Sequence, residues 1–489
     1  MSKINILKSS GIIGGAQFLN ILIGLFRNKL TAYLLGPTGI GLLGLFSSIL
    51  DTIRAASSFG INFSSIKTIS ESKSKNDINL LSQTIYVVKS WAKWTGWIGV
   101  IFVIIFSKTI SLYTFKSDKY TLEISLMSIA IIFISLSQIN LAILQGMQLI
   151  KKMVFASIYG ALFSLLILPI YFYYGNNGIV PGLVLSSFIS YLITMYFCSD
   201  LKFSKISQTT FNTFRLGLPM VKLGVFIVFS SIISGLGLYL VRAYLSNKGG
   251  LNLLGNFQAS WTISTGYIGI LLTTMQTDFL PRLTSKINYR IATRKLLNDQ
   301  LEVLFIVGSP ILILLIYFSK QVIFILYSSD FINATIILQW NLLSVMFIFI
   351  GWTLGVYFLA KGLGTFIFIT DLFWFIIFGY IIYFGFSKYG ASILGFSYFI
   401  ATLLKAMLNY IILYFKLNFH FSIRNILLFT FYFSLMILSF VLVNTMHENN
   451  LIYSGFFLFF LSVSFSYYRL SKEFNIKDLL EKIKLHFLR

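Results

Sequence analysis

The chain has 489 residues, 57% hydrophobic and only 11% charged, a composition too apolar for any water-soluble fold to cover with polar surface. It reads as a polytopic membrane protein, and its 51 phenylalanines and 27 tyrosines suit many lipid-facing and interfacial positions. The formal net charge of +23 would suit a nucleic-acid binder only on a soluble basic domain; here the cations lie in short loops between apolar runs, where anionic lipid headgroups are the natural partners. The single cysteine, Cys198, excludes an intramolecular disulfide and a Cys-based metal cluster, and reads as a small packing residue. His420, His447 and His486 show no metal-ligand spacing, so neither a metal nor a cofactor is expected.

The N-terminal stretch "MSKINILKSS" runs into a full-length apolar segment without the short apolar core and small-residue cleavage site of a signal peptide, so the first helix is expected to stay in the protein. Apolar windows of about 20 residues predict fourteen spanning helices, starting near residues 11, 40, 90, 121, 154, 178, 217, 252, 301, 331, 365, 391, 425 and 451. With a cytoplasmic N-terminus, about 24 of the 38 Lys and Arg fall on the cytoplasmic side and about seven on the other, an asymmetry that places both termini in the cytoplasm. In the tail "NIKDLLEKIKLHFLR", Ile476, Leu479, Leu480, Ile483 and Phe487 share one helical face, as in an amphipathic helix on the inner leaflet.

An internal repeat organises these helices. "TAYLLGPTGIGLLG" (31–44) aligns without a gap to "RAYLSNKGGLNLLG" (242–255), and Phe46 and Phe257 extend the match. Both copies join the first two helices of a six-helix block, and an even number of helices per block keeps the copies in the same orientation. The expected fold class is therefore an all-α membrane protein: a six-helix bundle over 1–205, a second over 206–420 related to it by pseudo-twofold symmetry, two additional spanning helices over 421–470 and a cytoplasmic amphipathic tail over 471–489.

Polar residues inside the spans are the candidate site, because charge at the centre of a spanning helix costs at least ~2.5–3.5 kcal/mol and usually faces a bundle interior or a water-filled cavity. Gln17, Asn20, Gly24, Arg27 and Thr31 recur at spacings of three and four along the first helix; Ser47, Asp51, Arg54, Ser58 and Asn62 do so along the second. On the eighth, Gln258, Thr262, Thr265, Gly269, Thr273 and Gln276 form the matching stripe. Asp51 and Arg54 are placed to pair on one helix face, yet Arg27 and Arg54 together leave a positive surplus. Lys29 lies on another face from Arg27 and is placed to reach the interface. Lys222 and Arg242, on the seventh helix, either face the cavity or do not; Asp278 either gates its inner mouth with Arg282 or caps a helix end. Asp371 and Lys405, on the eleventh and twelfth helices, are spaced as an interhelical ion pair. A cavity with surplus fixed positive charge suits an anion, and Arg offers a planar fork matched to phosphate oxygens. The surrounding apolar helices suit a lipid tail, so a lipid-linked phosphate satisfies both features.

Two motifs carry no such meaning. "GIGLLG" (39–44) fits a dinucleotide fingerprint but has no strand before it and no βαβ unit around it, so it reads as a turn between helices. "GWTLG" (351–355) reads as a close helix contact within the bundle.

"LFRNKLTAYLLGPTGIGLLGLF", "GINFSSIKTISE" and "LGNFQASWTISTGYIGILLTTMQTDFLPRLTSK" together resemble the Wzx-type flippases of polysaccharide biosynthesis, members of the superfamily of multidrug, oligosaccharidyl-lipid and polysaccharide exporters. The resemblance covers most of the first twelve helices and is strongest in the first, second, seventh and eighth. It implies a V-shaped pair of six-helix bundles in the bacterial cytoplasmic membrane. By alternating access these would move an undecaprenyl-pyrophosphate-linked oligosaccharide, an O-antigen or similar repeat unit, from the inner to the outer leaflet. It further implies that Arg27 and Arg54 hold the pyrophosphate; Lys222 and Arg242 are further candidates by their place in the seventh helix. Gln17, Asn20, Asp51, Asn62, Gln258 and Thr262 would then line the cavity. Coupling to an inward H+ or Na+, with Asp278 or Asp371 as the acid, and contacts with other polysaccharide-assembly membrane proteins complete the expectation. A drug exporter of the same superfamily is the main rival, but its cavity should carry unpaired carboxylates. A membrane polymerase or glycosyltransferase is the remote one, since the outer loops are short and no acid/base pair or nucleophile constellation is legible.

Overall fold

In lipid no water is at hand to satisfy backbone N–H and C=O groups, so a chain of apolar windows closes its hydrogen bonds within helices. The computed structural model describes residues 3–75, 77–201, 210–445 and 448–473, and every regular element among them is helical. In chain order these are α1 (Lys3–Ser57), α2 (Ile61–Ser74), α3 (Ile78–Phe115), α4 (Thr121–Met127), α5 (Ile129–Gly146), α6 (Ile150–Phe163), α7 (Leu168–Tyr174), α8 (Ile179–Ser199), α9 (Thr210–Trp261), α10 (Ile268–Lys286), α11 (Arg290–Tyr317), α12 (Ser319–Leu326), α13 (Ala334–Ala360), α14 (Gly364–Tyr389), α15 (Ser392–Leu417), α16 (Ile423–Thr445) and α17 (Glu448–Glu473). The expected amphipathic tail lies almost wholly outside the described residues.

Ten segments among the described residues are long and apolar enough to cross a membrane. Three of them, Gln17–Ser57, Ile150–Ser199 and Val228–Tyr267, run 40 residues or more, twice the length one crossing needs, and each is broken near its middle by a glycine with positive φ. With α17, 26 residues long, they account for the fourteen expected passes. By contact the chain forms two compact units: Met1–Ala259 with Ile325–Ile332, and Ser260–Phe324 with Asn333–Arg489.

Lipid reverses the usual inside-out rule, and α3 shows it. Its buried face carries Thr95, Ser107, Ser111 and Thr114, while Trp97, Ile101 and Ile105 are each more than half exposed. Small polar residues let helices approach closely; large apolar ones are left for acyl chains. The same logic places Cys198 in the interior, where its thiol donates to the Asn140 carbonyl at 3.5 Å.

The breaks in α1 and α9 fix the repeat. Gly36 (φ 62°, ψ −174°) interrupts α1 just before Pro37, which lacks an N–H and disfavours helical backbone in the preceding residue. Gly250 (φ 76°, ψ 170°) interrupts α9 with Leu251 in the following place, so the glycine suffices without the proline. These two glycines are 214 positions apart, whereas the gapless alignment of the repeat pairs residues 211 apart. The contacts follow the register of the kinks. A Cβ at Gly41 would collide with the Leu251 carbonyl, and one at Gly255 with the Pro37 carbonyl; each residue of one pair lies 214 positions from its counterpart in the other. The letters favour the 211 register, which pairs Ala32, Tyr33, Leu34, Leu42 and Leu43 with identical residues, while the backbone breaks and the contacts around them follow the 214 register.

Within the second unit a π-helical turn over Thr262–Tyr267 follows α9, and the Ser260 hydroxyl donates to the Ala334 carbonyl at 2.8 Å. Trp374 stacks on Phe378 and meets Tyr398 edge-on, filling the contact of α14 with α15. Gly351 marks a close helix contact, as its motif suggested: its carbonyl accepts from Asn409 Nδ2 of α15 at 3.0 Å.

Candidate functional site

The polar stripe of the first pass faces the interior of the first unit. Asn20 Nδ2 donates to Ser157 Oγ of α6 at 2.8 Å, and Arg27 Nη1 donates to Ser164 Oγ at 3.1 Å. Ser164 opens a 3-10 turn (Ser164–Ile167) that carries the chain from α6 to α7, where Pro169 lies in the first turn. A cavity of about 400 Å3 opens beside Arg27, walled by α1, α5, α6 and α8. A second, of about 270 Å3, is lined by Gln17 and Asn20 and shares Gln138, Leu141 and Ser157 with the first. Among the described residues neither is lined by a carboxylate, and Arg27 is the only cation.

Three of the expected residues, Gln17, Asn20 and Arg27, thus come together around one polar space. Thr31, which continues the stripe, is buried. On the second pass Arg54 Nη2 donates to Asp51 Oδ1 at 3.4 Å, a long bond on a stretch where the aspartate side chain is 64% exposed. Arg54 Nε is buried with no hydrogen-bond partner, so the pair leaves much of the guanidinium's donor capacity unused. The side chains of Asn62 and Lys222 lie outside the described residues.

Arg242 is placed differently from a cavity cation. It is 4% exposed, and its guanidinium is committed to α1 and to its own helix: Nη1 donates to the Gly44 carbonyl at 3.0 Å and Nη2 to Gln258 Oε1 at 2.5 Å. Gly44 and Gln258 are themselves 214 positions apart and in contact, so Arg242 clamps the repeat contact close to its local symmetry axis. This corrects the expectation that Arg242 faces a binding cavity. The reason is geometric: the seventh pass presents that side to α1. Gln258 is drawn into the same clamp, and Thr262 is the first residue of the π-helical turn.

The remaining charges form local pairs. Arg282 meets Asp278 at 2.6 Å one turn along α10, with both side chains more than half exposed. Lys405 donates to Asp371 Oδ1 at 2.6 Å across α15 and α14, the interhelical pair the spacing suggested, with both side chains mostly buried. No group of three or more His, Cys, Asp or Glu able to hold a metal occurs among the described residues.

The other wall of the cavity escaped the sequence reading. Ser157, Gly160 and Ala161 on α6 with Ser164 just after it, and Ser187, Ser190 and Thr194 on α8, recur at spacings of three and four and line the cavity with Arg27. The signal was present as a stripe of small and hydroxyl residues in otherwise apolar helices, but it carries no charge to mark it.

The model of the family described as "Polysaccharide biosynthesis protein" matches residues 30–336, well over half of the chain. No curated protein matches the sequence. Among solved structures, the fold is similar to that of an inward-facing multidrug resistance MATE family transporter of the MOP superfamily (TM-score 0.69, 13% identity, 84% of this chain and 98% of that one). It is equally similar to the lipid II flippase MurJ in an inward closed conformation (TM-score 0.69, 18% identity, 94% and 99%). A MOP superfamily transporter from Pyrococcus furiosus Vc1, described as having a binding pocket of reverse polarity, also matches (TM-score 0.63, 15% identity, 84% and 96%). At these identities the likeness establishes fold, and the family match establishes kinship: the chain is a multi-pass membrane protein with a fold shared by transporters of the MOP superfamily, and it belongs to the polysaccharide biosynthesis protein family.

Proposed function

We propose that the protein moves an undecaprenyl-pyrophosphate-linked oligosaccharide from the inner to the outer leaflet of the bacterial cytoplasmic membrane, both termini being cytoplasmic. The observation that carries this reading is Arg27, a guanidinium with donors to spare in a polar cavity whose described lining holds no carboxylate. Arg54, with its Nε unpartnered, is the second anion-binding candidate. An organic cation entering such a space would meet like charge without a counter-ion, which sets the drug-exporter alternative behind. Two negative charges moving outward across an inside-negative potential gain ~2.3 kcal/mol each per 100 mV, so the potential supplies drive in the proposed direction. Asp278 and Asp371 stay candidate acids for ion coupling; both are held in ion pairs that a proton would release.

The test is complementation in a strain lacking the gene, alongside flipping of the lipid-linked substrate in proteoliposomes. Wild type should restore surface polysaccharide, and Arg27→Ala or Arg54→Ala at equal expression should not. Full restoration by both variants would remove the proposed site, and transport of a cationic dye in place of the lipid would favour the drug-exporter reading.

A further inference from the structure

We propose that the hydroxyl-lined cavity inside the first unit, between α1, α5, α6 and α8, receives a sugar ring of the lipid-linked substrate, with Arg27 standing where that ring meets the pyrophosphate. The proposal rests on the flippase reading above and adds to it the part of the substrate that this cavity holds.

The hydrogen-bonding capacity left on the wall selects the ligand. A serine or threonine hydroxyl brings one donor and two acceptor sites. Three of the wall hydroxyls have already spent their donors on neighbouring backbone carbonyls. Ser164 donates to the Ala161 carbonyl at 2.6 Å, Ser187 to Val184 at 2.7 Å and Thr194 to Tyr191 at 3.0 Å. What these side chains offer an entering molecule is therefore their remaining lone pairs, Ser164 already accepting from Arg27 and Thr194 from Asn140 Nδ2. In the adjoining cavity Asn20 keeps its Oδ1 without a hydrogen-bond partner. Donors come chiefly from Arg27 and from the exposed amide of Gln138.

An acceptor-rich wall with one guanidinium discriminates among ligand classes. A bare phosphate brings only acceptors and would face lone pairs on most sides. An organic cation brings charge of the wrong sign for Arg27. A sugar brings several O–H groups, each able to donate to a serine oxygen and to accept from Arg27 or Gln138. About 400 Å3 lies in the usual range of small-ligand sites. The adjoining cavity of about 270 Å3, reached past Gln138 and Ser157, leaves room for the next ring or its substituents.

Gly160 supplies the experiment. It lines the cavity on α6, and a Cβ built on it meets nothing within 4 Å, so a larger side chain there grows into the cavity without collision at the backbone. The full-length protein in lipid nanodiscs is titrated with undecaprenyl pyrophosphate and with undecaprenyl pyrophosphate bearing a single hexose. Wild type should bind the sugar-bearing lipid at least tenfold more tightly. Gly160→Leu should lose that preference and keep its affinity for the bare pyrophosphate lipid; Ser187→Ala, a smaller change that also serves should Gly160→Leu fail to fold, should reduce the preference severalfold. A preference unchanged in both variants, or absent in wild type, overturns the proposal and leaves the flippase reading in place, as does a loss of affinity for both lipids alike. Failure of wild type to bind either lipid overturns the flippase reading itself.

Discussion

Gly255→Ala puts one methyl group into the tightest backbone contact of the first unit. The new Cβ overlaps the carbonyl oxygen of Pro37 and comes against that residue's carbonyl carbon and Cα as well. These are main-chain atoms directly after the Gly36 break, so relief requires the second half of α1 to move as a body. Overpacking of this kind costs about 1–3 kcal/mol, and a collision with backbone belongs at the upper end. Against that, alanine regains about 0.8–1 kcal/mol of helix propensity over glycine, leaving a net loss near 2 kcal/mol. Gly41→Ala should lose a similar amount, because its Cβ meets the Leu251 carbonyl in the same fashion. The two substitutions pry open one contact, so the double variant should lose less than the sum of the singles. Gly24→Ala, where nothing lies within 4 Å, is the control and should be neutral or slightly stabilising. Thermal unfolding of the detergent-solubilised full chain reads all four. A Gly255→Ala protein that melts with Gly24→Ala would refute the reciprocal contact, and with it the register of 214.

The Arg242 clamp makes an asymmetric prediction: Gln258→Leu should destabilise more than Arg242→Met, by about 1.5–3 kcal/mol in the same assay. The first takes from a buried guanidinium one of its two partners and leaves the charge in place; the second removes the charge together with its bonds. For Asp371 and Lys405, Asp371→Asn and Lys405→Met should each cost about 2 kcal/mol, and a double-mutant cycle should return a coupling of about 0.5–3 kcal/mol. Arg282→Ala should change stability by less than ~1 kcal/mol, and raised salt should erase even that, because the pair with Asp278 is exposed.

Much of the fold is legible in the sequence because lipid permits little else. Fourteen apolar windows must be helices, and windows such as those containing residues 90, 301, 331 and 365 fall on α3, α11, α13 and α14 as expected. The short α2 and α12 were not anticipated, since helices of 14 and eight residues are too short for an apolar window of spanning length. The ion pair of Asp371 with Lys405 was legible because two isolated opposite charges on neighbouring apolar helices have few other partners. Arg27 stands out because a charge in an apolar run, on the face that also carries Gln17 and Asn20, must have somewhere polar to face.

What the sequence by itself determined was the class of fold, the number of passes and the helix faces that carry polar groups, all consequences of period and of the cost of polar groups in lipid. The tertiary structure decided what those faces meet. It divided two similar-looking arginines, opening Arg27 onto a hydroxyl-lined cavity and closing Arg242 into a helix contact, and it moved the repeat register by three residues. Neither is readable from spacing. Matching letters do not say where the backbone breaks between them, and the direction a charged face takes is settled only by the helix that packs against it.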